Sequence, residues 1–170
     1  MINGYGGTIL RVDLGARTVK REPVTPELAR EWLGGRAWIA RYMYDELPVG
    51  VDPLGPENKV FIATGPLSGT LWPSSAKLVW GTKSPLTGGY IDSNMGGLLM
   101  AEFKYAGLDM IILEGVSASP VYLMVDDEKV EIRDASAYWG MGSVDTEYAL
   151  KHDLGEDFQI AAIGPAGENL

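Results

Sequence analysis

Apolar and polar residues alternate over Thr8-Ile9-Leu10-Arg11-Val12-Asp13, which predicts a strand. Residues 18–22 can pair with it across the turn Leu14-Gly15-Ala16-Arg17. Thr25-Pro26-Glu27 carries the signals of a helix start: a hydroxyl cap, proline at the first position and an acid in the first turn. Leu28, Trp32, Ile39 and Tyr42 then fall at helical spacing to about Glu46. Gly34-Gly35 predicts a break or a close backbone approach inside that run. Residues 48–56 read as loop. Short apolar runs predict strands at 60–64, 78–81 and, after the turn at 84–89, at 90–92. Ser93-Asn94-Met95-Gly96-Gly97 is expected to open a helix, with Asn94 as its cap, that runs to about Tyr105 and stops at Gly107. A strand follows at 109–113, then a hairpin of 121–125 with 130–133 around Asp126-Asp127-Glu128-Lys129. Ser143 caps a further helix to about Asp153, with Gly155 after it. Residues 158–163 read as a last strand, and Gly164-Pro165-Ala166-Gly167 as a turn.

Mixed strands and helices with a hairpin predict an α+β fold with mainly antiparallel sheets. The chain has 170 residues, 46% of them hydrophobic, which suits one domain with a sizeable core. The 22 glycines and 10 prolines fall between short apolar segments, so the elements are short and tightly joined. No apolar run approaches the roughly 18 residues of a membrane span, and Met1-Ile2-Asn3-Gly4 lacks a signal pattern. The expectation is a cytoplasmic protein with no membrane partner.

Cysteine is absent, which excludes disulfides, thiol catalysis and any cysteine-held zinc or iron–sulfur cluster within these residues. His152 is the single histidine, so a multi-histidine metal site is excluded too. Residues 1–100 hold 10 Lys+Arg against 9 Asp+Glu, whereas residues 101–170 hold 4 against 14. No basic stripe exists, so nucleic acid is not an expected partner. The acidic half gives solubility or a contact with a basic surface.

Two stretches offer chemistry. An asparagine cap followed by Gly96-Gly97 leaves free amides and little side-chain bulk, which suits an anion such as a phosphate; the plainer reading is an ordinary tightly packed capped helix. Gly65-Pro66-Leu67-Ser68-Gly69-Thr70 through Pro73-Ser74-Ser75-Ala76-Lys77 is a long loop after a strand, with hydroxyls, amides and one cation. Lys77 can meet an anion there, or can simply be a solvated lysine. Of the five tryptophans, Trp72 in this loop is the best candidate for stacking on a flat ligand; core packing is the plainer role for the others. The acids at 126–128 and His152 read as solvated turn and helix-end residues. From these residues alone the chain is a binding domain without catalytic machinery of its own.

Taken together, N-G-Y-G-G-T-I-L-R-V-D-L (3–14), E-L-A-R-E-W-L-G-G-R (27–36), D-P-L-G-P-E-N-K (52–59), A-T-G-P-L-S-G-T (63–70), T-K-S-P-L-T-G (82–88), S-N-M-G-G (93–97), E-F-K-Y-A-G-L-D (102–109), V-E-I-R-D-A-S (130–136) and I-A-A-I-G-P-A-G-E-N-L (160–170) make a pattern. The chain resembles the N-terminal domain of the aldehyde ferredoxin oxidoreductase family, tungsten or molybdenum bis-pterin enzymes, over nearly its whole length. The resemblance implies one base domain over 1–170, built from two related sheets, beneath a tungstopterin or molybdopterin. It implies that the Asn94 backbone carbonyl helps hold a Mg²⁺ bridging the pterin phosphates, and that Gly96 and Gly97 lie beside the pterin. Lys77 stands where the family has an arginine that links pterin to cluster, and a lysine keeps the charge but loses the planar fork. Trp72 replaces a small residue and narrows the same loop.

The family's 4Fe-4S cysteines and acid/base groups lie in later helical domains, so the resemblance implies a chain truncated at its C-terminal end and inactive by itself. Completed by those domains or by a partner subunit, it would oxidise an aldehyde to a carboxylic acid, with ferredoxin taking the electrons. The alternative is a standalone, non-catalytic module that binds a pterin or a protein.

Overall fold

The computed structural model describes residues 3–169. Met1 and Ile2, read above for a signal pattern, and Leu170, the end of the last motif, lie outside the described residues. Among the described residues no helix is long and apolar enough to cross a membrane.

The alternating N-terminal segment forms β1 (Thr8–Asp13), which pairs antiparallel with β2 (Thr18–Pro23). Thr25 caps α1 (Pro26–Trp32) as its residue types dictate, its side chain accepting the Leu28 amide at 3.2 Å. Gly34-Gly35 separates α1 from α2 (Arg36–Glu46). The close approach expected there is real: a Cβ on Gly34 would stand 2.6 Å from the Thr64 carbonyl oxygen, which accepts the Gly35 amide at 2.9 Å.

β3 (Val60–Thr64), β4 (Leu78–Lys83), β5 (Tyr90–Met95) and β6 (Leu108–Glu114) complete a six-stranded sheet of order β2-β1-β6-β3-β4-β5. Only the β1–β6 pair within it is parallel. β7 (Val121–Asp126) and β8 (Lys129–Asp134) form a separate two-stranded sheet. The α+β, mainly antiparallel expectation therefore holds, with two sheets of unequal size. The hairpin turn is tied to the larger sheet by Arg21, whose guanidinium donates to the Asp127 carbonyl at 2.9 Å.

Because strand side chains alternate, the large sheet has two apolar faces. Ile9, Phe61, Ala63, Val79, Met110 and Ile112 pack against α1 and α2 through Ala29, Trp38 and Ile39. Leu10, Val12, Ile62, Leu78, Leu108 and Ile111 face α3 (Leu98–Tyr105) and the hairpin. Between this second face, the hairpin and α4 (Ser143–Leu154) lies an apolar cavity of about 580 Å³.

Three local expectations are corrected. Asn94 is not a helix cap. β5 runs on through Ser93, Asn94 and Met95, which pair with Trp80, Val79 and Leu78 of β4, and Gly97 takes the cap position of α3. Ladder pairing to a formed neighbour strand wins over local capping. Residues 158–163 are not a strand: among the described residues no strand pairs with them, and a lone extended segment has no ladder. The segment after them is not a turn but a short helix, α5 (Gly164–Glu168). In addition, α4 begins at Ser143 itself, with Gly142 in the cap position.

Candidate functional site

The residues singled out in the sequence converge at one end of the β4–β5 pair. Leu78, the first residue of β4, lies opposite Met95, the last of β5. Lys77, just before β4, and Gly96, just after β5, flank that final pair. The Lys77 Nζ lies 3.9 Å from where a Cβ on Gly96 would stand, and the Ala76 carbonyl oxygen 3.5 Å from the same point. Asn94 pairs with Val79 one step inside. Lys77, Asn94, Gly96 and Gly97 are all exposed. Among the described residues β5 is the edge of its sheet, and its outward side has no neighbouring strand.

Gly97 has φ of 101°, which L side chains rarely adopt, and open space where a Cβ would point. It precedes α3, whose first turn carries no side-chain cap. Among the described residues no side chain caps the first-turn amides of that helix. With the Lys77 ammonium beside them, the local field favours an anion.

This donor set fits a phosphate-bearing group. It offers backbone amides, a cation and a surface bare of side chains. It does not offer a carboxylate or imidazole cage: among the described residues no group of three His, Asp or Glu can hold a metal ion. A hard cation here would rest on carbonyl oxygens and on the oxygens of its own ligand.

Two elements missed in the sequence surround these residues. Arg36, at the start of α2, donates to Asp92 of β5 at 2.5 Å, and the Asn94 side-chain amide donates to the same carboxylate oxygen at 3.4 Å. The Asp92 hydrogen bond raises the Arg36 pKa above its usual value. Behind Lys77, the buried Ser68 hydroxyl donates to the Lys77 carbonyl at 3.3 Å. The only signal for Ser68 was a hydroxyl in a glycine-rich loop; for Arg36 and Asp92, 56 residues apart, no local signal existed.

Other candidates fall elsewhere. Trp72 is 65% exposed in the same loop, and Trp139, expected to pack in the interior, is 51% exposed. Trp38 is fully buried and stacks on Tyr5, with ring centroids 5.7 Å apart. His152 is exposed, with its Nδ1 3.0 Å from Oδ1 of its neighbour Asp153. Asp153 accepts from Tyr138 at 2.6 Å, which pushes the Tyr138 pKa up to about 12. The 580 Å³ cavity is lined by neither Lys77, Asn94, Gly96 nor Gly97.

Architecture and site together define an α+β domain that presents an anion-favouring cradle at the open end of a mainly antiparallel sheet. The chain belongs to the family of the aldehyde ferredoxin oxidoreductase N-terminal domain, whose model matches residues 9–170. It is 50% identical over 98% of its length to a tungsten-containing aldehyde ferredoxin oxidoreductase of Pyrococcus abyssi and 46% identical over 98% to that of Pyrococcus furiosus. It spans 28% of the length of each. More distantly, it is 37% identical over 97% of its length to the aliphatic sulfonate oxidoreductase, WOR-like subunit, of Pyrococcus furiosus. Among solved structures, the active site complex BamBC of benzoyl coenzyme A reductase with 1,5-dienoyl-CoA matches with a TM-score of 0.96 and 40% identity. That match covers 99% of this chain and 26% of the other.

Proposed function

We propose that this chain is the cofactor-holding base of a tungsten or molybdenum oxidoreductase that converts aldehydes to carboxylic acids and passes the electrons to ferredoxin. The observation that carries the reading is the juxtaposition of Lys77 with the bare Gly96-Gly97 backbone at the uncapped start of α3. In this reading Gly96 and Gly97 would let the pterin approach the backbone, the α3 amides and Lys77 would neutralise its phosphates, and the Asn94 carbonyl would be one ligand for a Mg²⁺. The bound metal–pterin supplies the redox chemistry, and the chain's own residues bind and orient it. In this reading the 4Fe-4S cluster, for which the chain has no cysteine, and the proton handling belong to the helical domains or partner subunit that complete the enzyme. The isolated chain is then inactive.

The test is the pterin content of the full-length protein carrying Gly96→Val, measured as the fluorescent oxidised pterin per chain. A branched side chain beside the Lys77 ammonium blocks close approach, and pterin content falls severalfold with the fold intact. Wild-type pterin content in this variant would overturn the reading.

A further inference from the structure

The loop from Gly65 to Lys77 leaves β3 and returns to β4, and its two ends meet over one side chain. Ser68 is only 5% exposed. Its hydroxyl accepts the Gly65 amide at 3.3 Å and donates to the Lys77 carbonyl at 3.3 Å, so one buried oxygen joins the loop's exit, its first turn and its return. The rest of the loop is fastened at different points. The Tyr105 hydroxyl donates to the Gly69 carbonyl at 3.1 Å, and the Ser75 hydroxyl to the Thr70 carbonyl at 3.3 Å. Neither of those bonds reaches Lys77. The Lys77 amide donates to the Ser75 carbonyl at 3.2 Å, inside the loop, so the Ser68 hydroxyl on the Lys77 carbonyl is the side-chain tie that holds the loop's return against its exit, next to the start of β4.

Lys77 is exposed, and a lysine side chain has four rotatable bonds, so where its ammonium sits depends on where its backbone is held. We propose that Ser68 is a positioning residue for the cofactor site: its hydroxyl sets the Lys77 backbone so that the ammonium lies over Gly96, where it meets an anionic phosphate group of the ligand. This rests on the reading of Lys77 as a cofactor-site residue. Ser68 touches no ligand itself and acts through Lys77.

The experiment uses the full-length cofactor-loaded protein and reads the rate at which pterin is released after dilution, with melting temperature recorded alongside. Four variants are compared: Lys77→Ala, Ser68→Ala, the double variant, and Ser68→Thr, which keeps the hydroxyl. Lys77→Ala is expected to speed release about tenfold, the scale of one lost charge-assisted hydrogen bond. Ser68→Ala is expected to speed it severalfold, the double variant no more than Lys77→Ala alone, and Ser68→Thr to stay near wild type. A merely structural role would lower the melting temperature and add its effect to that of Lys77→Ala. Additive effects, or a Ser68→Ala protein that releases pterin at the wild-type rate while Lys77→Ala does not, overturn the proposal and leave the cofactor reading standing. A Lys77→Ala protein with wild-type release overturns both. Should Ser68→Ala not accumulate, Ser68→Cys, of similar shape but a weaker donor, is judged by the same criteria.

Discussion

The Lys77 ammonium stands 3.9 Å from the position a Cβ on Gly96 would occupy, and nothing but solvent-facing space lies within 4 Å of the corresponding point on Gly97. The two neighbouring glycines therefore answer different demands. A methyl on Gly96 meets only ordinary contacts, whereas any side chain on Gly97 must adopt φ near 101°. Gly97→Ala is expected to destabilise the chain by about 1–3 kcal/mol, and Gly96→Ala by less than about 0.5 kcal/mol. Denaturant titration of the two variants checks the contrast. Equal losses would place the constraint in the space around the turn and not in its dihedral.

Asp109 is fully buried at the start of β6. Its carboxylate accepts the Gly6 amide at 3.0 Å and the Gly7 amide at 2.6 Å, and it is paired with the Lys104 ammonium of α3. That ammonium also lies over the Tyr5 ring, 5.4 Å from its centroid. Burial, then the nearby Asp109 charge, raises the Tyr5 pKa above its usual value. Asp109→Ala strands a nearly buried lysine and two amides, and is expected to cost about 3–5 kcal/mol. Hydrogen exchange at Gly6 and Gly7 should accelerate in the same variant. Unchanged protection there would show that the N-terminal turn is held by something else.

A second charged cluster closes the far end of the sheet. Glu46 at the end of α2 accepts from Arg11 of β1 at 2.8 Å and from Lys59 at 2.7 Å, and Lys59 also reaches Glu114 of β6 at 2.8 Å. Burial would raise the Glu46 pKa, but the hydrogen bonds from Arg11 and Lys59 outweigh it and hold the carboxyl below its usual value of 4.5. A carboxyl depressed in the folded state stabilises the fold above its unfolded value and loses that contribution as pH falls through the folded one. Glu46→Gln should therefore cost about 2 kcal/mol at pH 7 and progressively less as pH drops below 4.5. Denaturation midpoints of both proteins from pH 7 to pH 3 measure it. A pH-independent difference would assign the loss to packing.

How much of this was legible in the chain depends on the range of the cause. Thr25-Pro26-Glu27, the Gly34-Gly35 break and the turn at 126–129 are local, and each is written in three or four adjacent residues. Asn94 was misplaced because a cap and a strand end use the same residues; the strand at 78–83 decides it, and that partner is distant in sequence. Residues 158–163 look like a strand by composition, yet no described strand lies beside them. Lys77, Asn94, Gly96 and Gly97 are singled out by residue type and by the family resemblance, and their meeting at one strand end follows from the β4–β5 register. Ser68, Asp92 and Arg36 act through burial and long-range pairing, which no local pattern encodes.

Substituting the lysine by arginine distinguishes charge from geometry at the cradle. If charge is what the site uses, Lys77→Arg in the full-length protein retains pterin within about twofold of wild type, whereas Lys77→Gln loses it about tenfold faster. Release rates after dilution give the comparison. Equal loss in both variants would mean that the compact ammonium over Gly96, and not its charge alone, is required.

The central claim is that Lys77, Asn94, Gly96 and Gly97 form part of a metal–pterin site. It is tested most directly by a crystal structure of the full-length, cofactor-loaded protein, with an anomalous difference map recorded at the tungsten edge to locate the metal. The account predicts pterin phosphate density against the Gly96-Gly97 backbone and the start of α3, with Lys77 in contact and a cation on the Asn94 carbonyl. A pterin bound clear of these four residues would contradict it.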